Sequence, residues 1–325
     1  MSSDHLPPPL TAYLDHLRSS GRRETARAAT ATLRQFAGWL ATRDLLRLTT
    51  DDLRAFQRWL ADEYRSTRDG KRLGRGTQAT RLATVKAVYA WMYRRGLVVT
   101  DVAAPITLPR LPPRQVQADH LTLQETVALL QTLAARAAAV APGSYRWAIE
   151  VRDLAVIALG LATGRRRSGI RDLHIADLDR ERSELRVARE KGVGGRVLPI
   201  AAWAVVILGT YIDRARPVLC WQVGNELLFP GEDGPRLGRN TIAAILERAQ
   251  GATIAANPDL IELTAKRLTP HSLRVSFAHL LFQGGADIRT VNECMLHRML
   301  GTTARYTPVD LTDLRRVCAT AHPRA

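Results

Sequence analysis

The chain has 325 residues, enough for two domains with separate cores, and 46% of them are hydrophobic, as in a globular protein. It carries 47 Lys and Arg against 31 Asp and Glu, which gives a net charge of +16. Basic residues outnumber acidic ones by nine in residues 1–110 and by seven in residues 111–325. An excess spread over the whole chain predicts a polyanionic partner, nucleic acid; the alternative is a merely solvated basic surface.

Several classes of protein are excluded by pattern. No run of about 18 apolar residues occurs, so no membrane span is predicted. The N-terminus, MSSDHLPPPL, lacks the basic-then-apolar pattern of a signal peptide. The three cysteines, Cys220, Cys294 and Cys318, lie far apart without a CxxC pair, which argues against a disulfide framework or a zinc site. Together these features favour a cytoplasmic location.

Residues 8–95 predict four amphipathic helices. Their apolar residues recur at helical spacing, as in Leu10, Leu14 and Leu17 of the first helix. Thr50 with the two aspartates that follow it predicts the N-terminal cap of the third helix, and Gly96 ends the fourth. Because no strand pattern occurs here, residues 1–98 are predicted to form a helical bundle.

A proline-rich stretch follows the bundle. Prolines are excluded from helix interiors and favour an extended chain. Residues 99–118 are therefore predicted to link two domains, and their prolines are Pro105, Pro109, Pro112 and Pro113.

Residues 119–325 predict mainly helices and one β-hairpin. Residues 183–200 alternate in polarity on both sides of the turn KGVGG, which is typical of a hairpin. Capping residues, apolar periodicity and glycine stops predict helices after the capping box of Thr122 and Glu125 and over 152–164, 201–215, 239–249 and 268–285. The predicted fold class is mainly α with a small β-sheet in the C-terminal domain.

Four clusters in this second domain carry reactive or phosphate-binding side chains. Arginine forks bind phosphate oxygens, and residues at i and i+3 share one face of a helix. The clusters are TGRRRSGI at 163–170, Lys191 in the hairpin turn, His271 with Arg274 in HSLR, and HRMLGTTARYTP at 297–308.

His297 and Tyr306 in the last cluster are nine residues apart and would point in opposite directions on one continuous helix. Gly301, Thr302 and Thr303 between them are typical of one helix ending and another beginning. The two side chains could therefore converge on one point.

At these clusters the chain resembles the tyrosine recombinase (phage integrase) family, and its Xer-like branch in particular. TGRRRSGI is similar to the family's TGLRxSEL-type motif, and KGVGGRVLPI to its hairpin-lysine motif. HSLRV is similar to HxLRH, and LHRMLGTTARY to GHxxxxTTxxY. The positions matched to catalytic residues are Arg166, Lys191, His271, Arg274, His297 and Tyr306.

The resemblance implies a domain organisation. Residues 1–98 would form a helical, SAM-like core-binding domain that contacts DNA, and residues 119–325 the catalytic domain. The C-terminal helix, 309–320, would pack into a neighbouring protomer; the alternative is that it packs on its own domain.

The resemblance also implies a mechanism without metal or cofactor. Two arginines and His297 would stabilise charge on a pentavalent phosphorane. Tyr306 would attack the phosphodiester to form a 3′-phosphotyrosine, with His271 as proton acceptor and Lys191 as general acid. A 5′-hydroxyl of another strand would then reseal the DNA.

Three positions depart from the family motifs. Gly169 stands where the family has an acidic residue that orients the first arginine, Val275 replaces the second histidine, and Leu296 replaces a glycine. Gly169 leaves open a catalytically silent DNA-binding member of the same fold. A type IB topoisomerase, which uses the same chemistry as a monomer, is the other alternative.

The expected partner is double-stranded DNA. Arg81 and Lys86, in the fourth helix, are the predicted DNA-binding residues of the first domain. By resemblance, four copies, or two pairs with a related recombinase, would assemble on two sites and exchange strands through a Holliday junction, on the nucleoid.

Overall fold

A computed structural model of the chain describes residues 6–67, 69–110, 119–187, 195–232 and 234–295. They belong to two compact units that divide between positions 116 and 117. Both units are built mainly of helices and the second also holds a small sheet, so the predicted fold class is confirmed. No helix in these ranges combines the length and the apolar character that crossing a membrane requires.

The first unit contains the four predicted helices. They are α1 (Pro8–Ser19), α2 (Arg23–Leu40), α3 (Thr50–Asp62) and α4 (Arg75–Arg94), with a 3-10 turn over Leu45–Arg47. Their apolar faces meet in one core, where the rings of Phe36 and Phe56 are inaccessible to solvent and 4.8 Å apart. Burying one such ring stabilises the bundle by about 2 to 3 kcal/mol.

The cap of α3 lies one residue before the predicted one. Thr49 is the N-cap: its hydroxyl accepts from the Asp52 amide at 3.2 Å, and the Asp52 carboxylate accepts from the Thr49 amide at 2.8 Å. A capping box needs an acceptor side chain three residues after the cap, and Asp52 meets that spacing from Thr49 but not from Thr50.

The described part of the predicted linker is folded onto the first unit. Ala103 and Ile106 are 1% and 5% exposed in its core. The Lys86 ammonium donates to the carbonyls of Ala103, Ala104 and Ile106 at 2.7, 2.8 and 2.6 Å. The unit therefore continues beyond the predicted boundary at residue 98, because the half-buried Lys86 binds this turn.

The second unit is built around one buried helix. Its helices are α5 (Leu123–Ala138), α6 (Tyr145–Thr163), α7 (Arg167–Arg171), α8 (Ala202–Thr210), α9 (Arg216–Leu219), α10 (Thr241–Ala256), α11 (Ile261–Ala265), α12 (Pro270–Gln283) and α13 (Ile288–Cys294). A π-helical turn, Tyr211–Ala215, joins α8 to α9. Nearly every residue of α6 from Trp147 onward is buried: residues 154–162 are apolar on all sides, and the charged Glu150, Arg152 and Asp153 before them form ion pairs.

The predicted hairpin forms two strands of a three-stranded antiparallel sheet. The strands are β1 (Leu178–Asp179), β2 (Glu184–Val187) and β3 (Arg196–Pro199), in that order. Leu185 of β2 pairs with Leu198 of β3, and both are buried. The two-residue strand β1 was not predicted, because two residues are too few to show an alternating pattern.

The segment that leads into the second unit is fixed along α12. The amide of Leu121 donates to the hydroxyl of Ser276 at 2.8 Å, and Ser276 is fully buried. The rings of His120 and His279 lie 4.1 Å apart. The Asp119 carboxylate accepts from the Arg267 amide at 2.8 Å. Through these contacts the start of the unit holds the helix that carries two of the predicted catalytic residues.

This histidine pair gives the second unit a pH-dependent stability. Burial, then the positive charges of His120 and Lys266, lower the pKa of His279 below its usual 6.5. As the pH falls below 6.5, the unfolded chain binds more protons than the folded chain. The contribution of His279 to stability is therefore fully present above pH 6.5 and is lost as the pH falls through its lowered pKa.

We expect His279→Asn to reduce the loss of thermal stability between about pH 7.5 and about pH 5.5, since the titrating ring is gone. Thermal unfolding at both pH values measures this. Gln283→Asn, at an exposed and non-titrating position of the same helix, is the control and should keep the wild-type pH dependence. Equal losses in wild type and His279→Asn would contradict the assignment.

Candidate active site

Arg166 lies on the turn between α6 and α7. Gly164 ends α6 in the left-handed conformation, with φ of +57°, which costs a glycine little. Arg166 then occupies the N-cap position of α7 in an extended conformation, with its side chain exposed. Arg165 before it is only 6% exposed, so the run of three arginines is not a uniformly solvated charge run.

His271 and Arg274 lie on the first two turns of α12. The helix starts with a capping box in which Thr269 and Ser272 bond reciprocally, and Pro270 occupies the first turn, where its missing amide costs nothing. His271 is exposed, whereas Arg274 is 4% exposed.

The Arg274 guanidinium connects three elements of the site. Nη1 donates to the carbonyl of Gly164 at 2.6 Å, and Nη2 donates to the carbonyl of Met295. Gly164 is two residues before Arg166, and Met295 is two residues before His297. The structure thus brings Arg274 to the turn that carries Arg166.

The position of Arg274 is electrostatically favourable. The Gly164 carbonyl lies at the C-terminal end of α6, where the helix dipole is negative and carbonyls lack helical partners. A buried cation must be hydrogen-bonded to be tolerated, and these carbonyls meet that requirement.

Three predicted catalytic residues, Lys191, His297 and Tyr306, lie outside the described residues, as does the predicted C-terminal helix 309–320. Gly169 is described: it is buried within α7 and offers no side chain to orient Arg166. Among the described residues, no group of three or more His, Cys, Asp and Glu side chains is placed to hold a metal ion.

The two predicted DNA-binding residues make contacts within the first unit. Arg81 is half-buried, bonds to the Gln35 side chain and lies with its guanidinium carbon 5.0 Å from the centre of the Tyr64 ring. Lys86 uses all three donors on the carbonyls named above. DNA contact by either residue stays a prediction, and these bonds count against it for Lys86.

A strongly basic groove between α1 and α2 was missed by the sequence analysis. We call it the arginine groove; Arg18, Arg23, Arg27 and Arg34 line it and are exposed. The spacing of Arg23, Arg27 and Arg34 places them on one face of α2, and that periodicity could have identified the groove.

The sequence matches known protein families over both units. Residues 120–312 match the phage integrase family, and residues 10–96 match the phage integrase N-terminal SAM-like domain. Tyrosine recombinase XerC of Mycobacterium leprae is 33% identical over 260 residues, 80% of this chain and 82% of the relative. Tyrosine recombinase XerD of Mycobacterium tuberculosis is 30% identical over 322 residues, 97% of each chain.

Solved structures share the fold at lower identity. XerH site-specific recombinase bound to a palindromic difH substrate gives a TM-score of 0.62 at 18% identity, over 97% of this chain and 80% of that one. A lambda integrase dimer bound to a COC′ core site gives 0.60 at 17% identity, over 94% of each chain.

Lys86→Met should destabilise the first unit by about 2 kcal/mol, because it leaves buried carbonyls without a donor while keeping the side-chain volume. Urea unfolding measures this. Lys71→Met, at an exposed lysine of the same unit, is the control and should leave stability unchanged. Lys86 would instead be shown to bind DNA if Lys86→Met kept the wild-type stability and its DNA binding depended less on salt, by about one phosphate contact.

Gly164→Ala should destabilise the second unit by about 2 to 4 kcal/mol, from the left-handed backbone and from overpacking. The new Cβ would lie 2.4 Å from Cδ1 of Phe277 and 3.1 Å from Sδ of Met295. Gly143→Ala is the matched control: its φ is +83° but nothing lies within 4 Å, so only the backbone cost applies. Equal unfolding free energies for both variants would contradict the close packing at Gly164.

Proposed function

The chain belongs to the phage integrase family, and from that membership we propose that it is a site-specific recombinase that cuts and rejoins DNA through a phosphotyrosine. The observation that supports this most directly is the bonding of Arg274 to the turn that carries Arg166. It holds two guanidinium-bearing segments together, as binding one phosphate requires. The net charge of +16 suits a DNA substrate.

Arg166 and Arg274 would bind the non-bridging oxygens of the scissile phosphate. Attack on a phosphodiester adds negative charge to these oxygens, and guanidinium forks stabilise that charge without deprotonating. Because the site holds its donors in place beforehand, this stabilisation would be a large part of the rate enhancement. His297 would donate a further hydrogen bond.

Tyr306 would be the nucleophile. Its oxygen bonds to phosphorus while the bond from phosphorus to the 5′-oxygen breaks, so the DNA is left with a 3′-phosphotyrosine. The phenolic proton passes to His271, and Lys191 protonates the departing 5′-oxygen. Attack by a 5′-hydroxyl of another strand reverses these steps and restores the phosphodiester without an external energy source.

The first unit would hold the DNA. The arginine groove presents four exposed arginines on α1 and α2, of which Arg18 pairs with the Asp15 carboxylate at 2.6 Å. Exposed arginines bind backbone phosphates and fix the position of a protein along DNA. Arg81, bonded to Gln35, remains a candidate for contact beside it.

Assembly is inferred from a structural relative. A lambda integrase tetramer bound to a Holliday junction gives a TM-score of 0.56 with this chain. We propose that this chain also acts as a tetramer on two DNA sites, either of identical copies or with a related recombinase, on cytoplasmic DNA.

A catalytically silent DNA-binding protein is the second candidate. Gly169 favours it, because α7 offers no carboxylate at the position from which the family orients the first arginine. Loss of such a supporting group lowers activity without removing a phosphate ligand.

The decisive experiment is to trap the covalent intermediate. The binding site is first selected from random duplexes with the full chain. It is then nicked beside the cleavage point, so that the released 5′-hydroxyl fragment diffuses away. Wild type should form a covalent protein–DNA band on a denaturing gel, and Tyr306→Phe should form none.

Tyr145→Phe is the control, because Tyr145 is an exposed tyrosine of the same unit and should keep the band. Specific binding without a band from wild type would favour the silent protein. Relaxation of supercoiled plasmid that lacks the site would favour a type IB topoisomerase.

A further inference from the structure

The ring of Phe277 and the thioether of Met295 close over Gly164. A Cβ built on Gly164 would lie 2.4 Å from Cδ1 of Phe277, 3.1 Å from its Cε1 and 3.1 Å from Sδ of Met295. Both side chains are buried, at 2% and 5% exposed. The turn before Arg166 is therefore packed directly against α12 and the residue that follows α13.

The same three positions are also joined by hydrogen bonds. Arg274, one turn before Phe277 on α12, donates to the carbonyls of Gly164 and Met295. We call Gly164, Arg274, Phe277 and Met295 the Gly164 joint. Its polar side is formed by a guanidinium and two carbonyls, and its apolar side by a ring, a thioether and a Cα atom.

The apolar side belongs to a small core separate from the main one. This core joins α12 to α13, and its buried members are Phe277, Leu281, Ala286, Val291, Cys294 and Met295. Phe277 is its largest side chain and, with Met295, reaches the α6–α7 turn. A separate core of this size can respond to a substitution without unfolding the main core of the unit.

We propose that Phe277 is a positioning residue for the reaction. Its ring fixes how closely the turn that carries Arg166 approaches the helix that carries Arg274, and it touches neither the DNA nor the reacting atoms. This inference rests on the proposed function, because it presumes that both arginines bind one phosphate. The hydrogen bonds of Arg274 to carbonyls fix the direction of its guanidinium. The close packing of Phe277 against Gly164 fixes the distance between the turn and α12 to a fraction of an ångström.

The consequence is a specific kinetic signature. A displacement of about 1 Å between groups that act on one atom lowers a rate about 100-fold. DNA affinity depends on many phosphate contacts spread over the protein and changes little with such a displacement. A residue that only stabilises the fold would lower both in proportion to the folded fraction.

Phe277→Leu tests the proposal, because it keeps the residue apolar while removing the ring edge that meets Gly164. With the nicked substrate, we expect the single-turnover rate of covalent complex formation to fall about 10- to 100-fold. The dissociation constant for intact site DNA should stay within about twofold of wild type. Both are measured at a temperature where the variant is fully folded.

Two matched variants separate positioning from packing. Phe229→Leu removes an equally buried phenylalanine from the main core, where its ring lies 5.1 Å from that of Tyr211. Phe282→Leu changes a half-exposed phenylalanine on the same helix. Both should cleave at the wild-type rate, and Phe229→Leu should lose at least as much thermal stability as Phe277→Leu.

Hydrogen exchange gives a readout that does not require cleavage. Phe277→Leu should accelerate amide exchange in peptides covering 164–171 and 288–295, and Phe229→Leu should not. A wild-type cleavage rate in Phe277→Leu, or an equal slowing in Phe229→Leu, would overturn the proposal. If wild type formed no covalent complex, the proposed function would be wrong. Unchanged amide exchange at 164–171 in Phe277→Leu would show, independently of cleavage, that Phe277 does not hold the Gly164 joint.

Discussion

A buried guanidinium holds the catalytic unit together at its functional end. Arg274 is 4% exposed, and a cation so placed must keep its hydrogen bonds or be expelled from the core. Its carbonyl acceptors belong to Gly164 and Met295, which lie far apart in the unit's sequence. The need to satisfy one buried charge thus fixes where α6 must end relative to α12, and therefore where Arg166 can lie.

Each unit uses a cation that donates to backbone carbonyls, a half-buried lysine in the first and a buried arginine in the second. In the first unit the ammonium of Lys86 closes a turn at Ala103 and has no donor left for a ligand. In the second unit the guanidinium of Arg274 donates to carbonyls of two separate segments, which its planar fork of donors reaches together.

Elements of the fold could be predicted from the sequence when their apolar pattern extended over several turns of helix. The four helices of the first unit and the buried α6 have enough turns for apolar periodicity, and Gly164 marked the end of α6 correctly. The elements α7, α11, α13 and β1 have seven residues or fewer, too short for a period to appear. The hydrogen bonds of Lys86 and the packing of Phe277 on Gly164 join residues that are far apart in the sequence. No local sequence pattern predicts such contacts. The arginine groove could have been predicted, because its arginines on α2 recur at helical spacing.

The absence of a carboxylate at position 169 has a narrower effect than motif comparison alone suggests. Backbone carbonyls hold Arg274, and they need no side chain at 169. Gly169 can affect only how Arg166 is oriented, and the close packing of Gly164 restricts the backbone that carries it. Carbonyl dipoles also orient a guanidinium without cancelling its charge, whereas a carboxylate partner would neutralise it. In the proposed reaction, a guanidinium held in this way keeps its positive charge for the phosphorane, and the packing of Gly164 fixes the backbone of the turn that precedes Arg166.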